Sequence, residues 1–115
     1  MSPTSYIGSI GLFAGGENLI PKGWTLCDGK LLSITEFSLL YSIIGTSYGG
    51  DGIVNFAVPD LRGVIPIGET SKAPALGNVN VRYFSDNTTQ ELGQLFMTFN
   101  YCIAFEGTIP SQQGT

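Results

Sequence analysis

Pro21-Lys22-Gly23-Trp24-Thr25-Leu26-Cys27-Asp28-Gly29 is the stretch on which the fold turns. Pro21 at the second position and Gly23 at the fourth suit a type I turn, because proline presets the first central φ. Trp24 to Cys27 then reads as a strand running into Asp28-Gly29. That dipeptide is favoured in two-residue hairpins, where both central residues take φ > 0. Lys30-Leu31-Leu32 is the expected return strand. Two more turn-rich blocks follow, Gly45-Thr46-Ser47-Tyr48-Gly49-Gly50-Asp51-Gly52 and Val58-Pro59-Asp60-Leu61-Arg62-Gly63. The glycines at 49, 50 and 52 neither pack nor hold a strand, so the middle block is irregular.

Outward from these blocks the periodicity is legible. Ile10 to Ala14 predicts a first strand, ended by Gly15-Gly16. Ser33 to Gly45 predicts the one helix. Ser33 and Glu36 have capping-box spacing, and Leu32 with Phe37 suits a hydrophobic staple. Ile34, Phe37, Leu40, Tyr41 and Ile44 share a helical face, which is expected to pack on the domain's own sheet. Gly45 is placed for a left-handed C-terminal cap.

Val54, Phe56 and Val58 alternate into a strand that stops at Pro59-Asp60. Val64 to Ile67 reads as a short edge segment, where Pro66 is tolerated. Residues 69–78 lack periodicity and read as loop. Val79, Val81 and Tyr83 alternate again before the turn at residues 85–88. The last strand, about 95–106, puts Leu95, Met97, Phe99, Tyr101, Ile103 and Phe105 on one face. Thr98, Asn100, Cys102 and Ala104 lie on the other, and small residues there suit a sheet covered on both sides. Gly107 and Pro110 end it. The expectation is a small β-rich α+β fold over residues 1–115, one domain, mainly antiparallel sheet, with one short amphipathic helix at about Ile34–Ile44.

Composition narrows the function. The 115 residues are 43% hydrophobic and only 12% charged, about half the usual charged share. A surface so short of charge is hard to keep apart in solution, which points to coverage by other subunits. The formal net charge is −4. The cations Lys22, Lys30, Arg62, Lys72 and Arg82 form no cluster, so no phosphate-tracking stripe exists and nucleic acid is not expected as a partner. No apolar run reaches membrane-span length. Met1 to Tyr6 carries no basic region before an apolar stretch, so no signal peptide is expected in this chain. Cys27 and Cys102 sit between apolar neighbours and read as buried free thiols in preference to a disulfide.

Catalytic chemistry is sparse. The chain contains no histidine, which removes the usual triads and His-based zinc sites. Two cysteines hold neither sulfur-rich zinc nor an iron–sulfur cluster, and no cofactor or metal is expected. Gly49-Gly50-Asp51-Gly52 lacks the lysine and hydroxyl residue of a phosphate-binding loop, and it precedes a strand. Asp28, Asp51 and Asp60 are the carboxylates available to a hydrolase. Each stands where aspartate favours a turn, and an Arg62 fork onto Asp60 or Asp51 is expected to lock the three blocks together. The chain does not read as an enzyme.

Phe13-Ala14-Gly15, Pro21-Lys22-Gly23-Trp24, Leu26-Cys27-Asp28-Gly29, Gly45 to Gly52 and Phe56-Ala57-Val58-Pro59-Asp60-Leu61-Arg62-Gly63 together resemble the phage tail collar domain. The likeness runs in order from about Ile7 to Gly68. Among relatives the chain looks most like the so-called microcystin-dependent proteins, and Thr98 to Ser111 is similar to their C-terminal end. Val64 stands where family members usually carry a basic residue. The middle region, about Glu69 to Gln94, is short and without histidine, so no histidine metal site carries over.

The resemblance implies an extracellular structural subunit of a phage tail fibre or tail-derived filamentous appendage, a homo-oligomer in the form of a trimer or an open filament. The residues expected to carry the structural motif are Trp24, Cys27, Asp28, Gly29, Tyr48, Gly49, Gly50, Asp51, Gly52, Pro59, Asp60, Arg62 and Gly63. Residues 2–10 are a candidate strand for a neighbour's sheet edge. The alternative is a receptor- or carbohydrate-binding module for a cell-surface glycan. Its candidate contacts are Tyr48, Asp51 and Tyr83, with Trp24, Asn78 and Asn80 also of suitable type. The simpler readings are Trp24 as a core residue and Tyr48 as loop packing.

Overall fold

The computed structural model of the chain describes residues 5–69 and 97–111. Leu95, the alternating residues at 79–83 and the turn at 85–88 lie outside the described residues, as do Asn78 and the N-terminal residues 2–4. The described part is small, β-rich and mainly antiparallel, with one short α-helix, the α+β class read from the sequence. In chain order it runs β1 (Ile10–Phe13), a 3₁₀ turn (Glu17–Leu19), β2 (Trp24–Leu26), β3 (Leu31–Ser33), α1 (Ser38–Ile44), β4 (Asn55–Ala57) and β5 (Asn100–Ala104). Two sheets result, one of order β1-β5-β2 and one pairing β3 with β4.

β5 is the central strand, antiparallel to both neighbours. Ile10 opposes Ile103 and Phe13 opposes Asn100 on one side, while Trp24 opposes Ala104 and Leu26 opposes Cys102 on the other. Alternation along a strand sends successive side chains to opposite faces, and here both faces are covered. Ile103 joins Ile7, Cys27, Leu32, Leu40, Phe56 and Val58 in the main core, with Tyr101 and Phe105 packed against it. Cys102 and Ala104 form a second cluster with Trp24, flanked by Phe13 and Ile20. The small-residue face is therefore buried as well. Fully burying a side chain such as Ile103 stabilises by roughly 1.5–3 kcal/mol.

The same alternation separates the cysteines. Cys27 continues β2 by one residue, its N–H donating to Tyr101 O at 2.9 Å. Because Leu26 is the residue facing Cys102, Cys27 points to the other face. The two thiols are free and buried, in different clusters.

Several expectations need correction. Among the described residues the final strand spans five, Asn100–Ala104, and takes in neither 97–99 nor 105–106; its neighbours offer four and three, so Met97 to Phe99 have no ladder to join, and Met97 and Phe99 are exposed. Val64 to Ile67 forms no strand. Asp28-Gly29 does not join a hairpin: β2 pairs with β5 and β3 with β4. Gly29 has φ +78, but among the described residues no non-glycine has positive φ, so Asp28 lacks the conformation a type I′ turn requires. The dipeptide instead turns the chain from one sheet into the other. The turn before β2 is also displaced by one residue. Trp24 N–H donates to Pro21 O at 3.1 Å, and Gly23, third in the turn, has φ +86, the type II signature.

The helix starts later than its pattern. Residues 34–37 are a turn, and α1 holds seven residues. Ser33 Oγ accepts from Glu36 N–H at 3.4 Å and hydrogen-bonds the Thr35 hydroxyl at 2.9 Å. The serine half of the capping box thus sits on that turn. Leu40 is fully buried, and Ile34, Phe37, Tyr41 and Ile44 pack against the main core, so the apolar stripe serves the domain's own interior. Gly45 has φ 55 and ψ −139, outside the left-handed helical region expected of it.

Residues 5–10 are engaged within the chain, which removes them as a free strand for a neighbour. Ile7 N–H donates to Thr108 O and Thr108 N–H to Ser5 O. Gly8 N–H donates to Ala104 O, Ala104 N–H donates to Ser9 O, and Gly8 has φ +91. That is a bulge of the glycine-first kind, which bends the chain into β1.

Candidate functional site

The three turn-rich blocks meet around the junction of the two sheets, and main-chain bonds join them. Asp28 and Asp60 oppose each other in an isolated antiparallel bridge. Leu61 N–H donates to Cys27 O at 3.1 Å, Gly29 N–H to Pro59 O at 3.2 Å, and Val58 N–H to Lys30 O at 3.1 Å. The glycine-rich block is attached through Ala57 N–H, which donates to Gly49 O at 3.0 Å. At Gly50, φ +96, a β-carbon would lie 2.4 Å from the Phe56 Cα and 2.9 Å from Asn55 O. Only a residue without a side chain lets that loop lie on β4.

Asp51 closes the same loop. Its Oδ1 accepts from the N–H groups of Ile53 (2.8 Å), Val54 (2.9 Å) and Asn55 (3.0 Å). Asn55 answers with its own Oδ1, which accepts from Asp51 N–H at 2.9 Å. Bonds to the ionised form favour it, and the N–H groups of Asn55, Ile53 and Val54 hold the Asp51 carboxyl below its ordinary value. The Tyr41 hydroxyl donates to Gly52 O at 3.3 Å, tying α1 to the loop.

The Arg62 fork is local. Its Nε and Nη2 donate to the two oxygens of Asp60 at 2.8 and 2.9 Å, a bidentate pair on an exposed turn. Arg62 lowers the Asp60 pKa, chiefly through the side-chain hydrogen bond. It does not reach Asp51, so the lock between blocks expected of arginine is supplied by the main chain. Lys30 covers Asp28: its N–H donates to Asp28 Oδ1 at 3.1 Å, and its Nζ donates to Thr25 Oγ1 at 2.8 Å while standing 3.8 Å from Asp28 Oδ1.

Trp24 and Cys27 lie in the two core clusters, and Tyr48 is half-buried in the glycine-rich block. Tyr83 lies outside the described residues. Burial, with smaller effects from Cys102 and Asp28, pushes the Cys27 thiol up to about 12 against the pull of Lys30. Burial also raises the Cys102 thiol. The arrangement suits inert core thiols better than reactive ones.

Asp28 and Asp60 come together, but through their main chains, and Asp51 Oδ1 is engaged by its own loop. Two shallow clefts, one lined by Glu36 to Leu39 with Phe105 and Glu106, the other by Ala14 to Gly16 with Thr98 to Asn100, contain none of the three aspartates. Among the described residues no group of acids and cysteines is placed to hold a metal ion, and no helix is long and apolar enough to cross a membrane.

Sequence reasoning missed Asn55, Tyr41 and Asn100 as turn-fixing residues; Asn100 Nδ2 donates to Gly15 O at 2.8 Å. The signal for Asn55 was present in Asp51-Gly52-Ile53-Val54-Asn55, since Asp and Asn side chains bond main-chain groups a few residues away. Tyr41 and Asn100 carry no such local signal, because their partners are set by packing.

The fold and site define a small turn-clamped β module whose distinctive residues fix main-chain geometry. The sequence profile described as the phage tail collar domain matches residues 8–66, just over half of the chain and the whole of all three turn-rich blocks. The chain belongs to the phage tail collar domain family. That membership points to a structural role in a phage tail fibre, as a component of the virion tail. No curated protein matches the chain.

Proposed function

We propose that the protein is a self-assembling structural subunit of a phage tail fibre or of a tail-derived extracellular filament, and not a catalyst. The observation that carries this reading is apolar surface left open in a charge-poor chain. Ile10 and Leu12, on one face of the edge strand β1, are 45% and 56% exposed, and Ile53 with Val54 at the tip of the Asp51 loop are 82% and 66% exposed. Isolated exposed apolar residues are ordinary, but adjacent ones on a surface poor in charge mark contact sites. β1, with the sequence Ile-Gly-Leu-Phe, carries no lysine, proline or inward charge of the kind that protects an edge strand. Copies of the same chain are the partner assigned here, closing into a ring or continuing as an open filament. The likeness of the collar blocks and of Thr98 to Ser111 to the microcystin-dependent proteins supports the same role.

A glycan-attachment role has less support, since Asp51 Oδ1 is already bonded three times within its loop. Size-exclusion chromatography with light scattering tests the proposal. At micromolar concentration the protein is expected to elute as a multiple of the 12.2 kDa chain, and a Leu12→Lys variant to shift toward smaller species. A stable monomer with a normal circular dichroism spectrum would overturn it.

A further inference from the structure

Two aspartate–glycine pairs, Asp28-Gly29 and Asp51-Gly52, stand in the turn-rich blocks. In a flexible chain this dipeptide is open to main-chain rearrangement, because glycine has no side chain to hinder attack by its nitrogen. The Gly52 nitrogen attacks Asp51 Cγ, forming a C–N bond. The nitrogen gives up its proton, the Cγ–OH bond breaks and water leaves, so a five-membered imide forms. Water then opens the imide at either carbonyl, giving aspartate again or isoaspartate, with no change in mass or oxidation state.

The fold obstructs each part of this step. Gly52 N–H donates to Asn55 O at 2.9 Å, so the proton that the nucleophilic nitrogen must give up is already hydrogen-bonded, and attack requires that bond to break. The Asp51 carboxylate is fixed by three N–H groups of residues 53–55, all bonded to Oδ1. These bonds also favour the ionised carboxylate, which lacks the protonated oxygen that must leave. At the other pair, Gly29 N–H donates to Pro59 O and Asp28 Oδ1 accepts from Lys30 N–H.

We infer that Asp51-Gly52 and Asp28-Gly29 are latent isoaspartate sites, closed in the folded protein by these hydrogen bonds and opened only when their loops open. The modification at Asp51 would be self-locking. Isoaspartate routes the main chain through the side-chain carbon and adds a methylene to it, so Oδ1 is lost as the acceptor for residues 53–55 and the loop cannot reclose. A virion component exposed to solvent for long periods would then record each failure of the Asp51 loop as a permanent change.

The test uses the full chain at neutral pH and 37 °C, with and without denaturing urea, followed by proteolysis and mass spectrometry with a fragmentation that separates isoaspartyl from aspartyl peptides. Isoaspartate at Asp51 and Asp28 is expected to accumulate roughly tenfold or more slowly in the folded protein, the factor reporting the local opening equilibrium. Asn55→Ala removes the acceptor for Asp51 N–H and is expected to speed formation at Asp51 while leaving Asp28 unchanged. The Asp28 rate in the same sample serves as the control for general unfolding. Equal rates in folded and denatured chain would overturn the inference. So would an Asn55→Ala protein that keeps its Asp28 rate and shows no gain at Asp51.

Discussion

The sheet around β5 and the loop that feeds β4 are made rigid in different ways. In the first, order comes from side chains: Cys102, Ile103 and Ala104 are each at most 1% exposed and fill clusters on both faces. In the second, order comes from the main chain, with Gly50 lying against Phe56 and Asp51 gathering three N–H groups in an exposed setting. A core filled by side chains tolerates changes that keep volume. A loop laid directly on a strand tolerates no added atom, however small.

The largest effect is expected in the first region. Ile103→Ala leaves a cavity between β5 and α1's side of the core and should cost about 2–5 kcal/mol, whereas Ile103→Val should cost only about 0.5–1.5 kcal/mol. Urea unfolding at constant slope measures both. Gly50→Ala, which adds one carbon, should cost about 2–4 kcal/mol, since it combines strained φ with a collision against main-chain atoms that cannot rotate away. If Gly50→Ala proves milder than Ile103→Val, the division between the two regions fails.

A smaller effect separates the regions by pH. Cys27 ordinarily titrates at 9.0 and is pushed to about 12 in the folded chain. Between those values the unfolded chain has lost the proton that the folded chain keeps, so stability falls as pH rises. The contribution is complete below pH 9 and gone above about 12. Cys27→Ala should flatten that part of the alkaline unfolding profile, even though it lowers stability at neutral pH. Asp51 acts at the other end of the scale, because its carboxyl is depressed below the ordinary 3.8. Here the folded chain gives up its proton more readily, so the contribution is present above 3.8 and disappears as pH falls through the depressed value. Asp51→Asn should remove that acid-side slope, with a fall in melting temperature smaller than that of Gly50→Ala.

The same division explains what was legible in the sequence. Leu95 to Phe105 alternates so regularly that both faces of β5 were readable, down to the small residues of the second cluster, because burial writes itself into residue type. Its ends were not readable, since they depend on how far β1 and β2 extend beside it. The helical stripe was legible for the same reason as β5, but its first turn was not, because Ser33 bonds a turn as readily as a helix. Asp28-Gly29 misled most: the dipeptide marks a change of direction, yet nothing local says whether the next strand returns to the same sheet. At the site, the glycines and aspartates announced fixed main-chain geometry, and the spacing of Asp51 and Asn55 carried a local signal, while the reach of Arg62 and the partners of Tyr41 and Asn100 are set by packing between distant segments.

Both regions also leave apolar side chains outside, at Ile10 and Leu12 on one and at Ile53 and Val54 on the other. Electron microscopy of the purified protein under native conditions tests most directly whether that surface exists for sister copies. Regular rings or filaments built from one repeating subunit are predicted. A field of dispersed single chains, unchanged as concentration rises, would contradict the account.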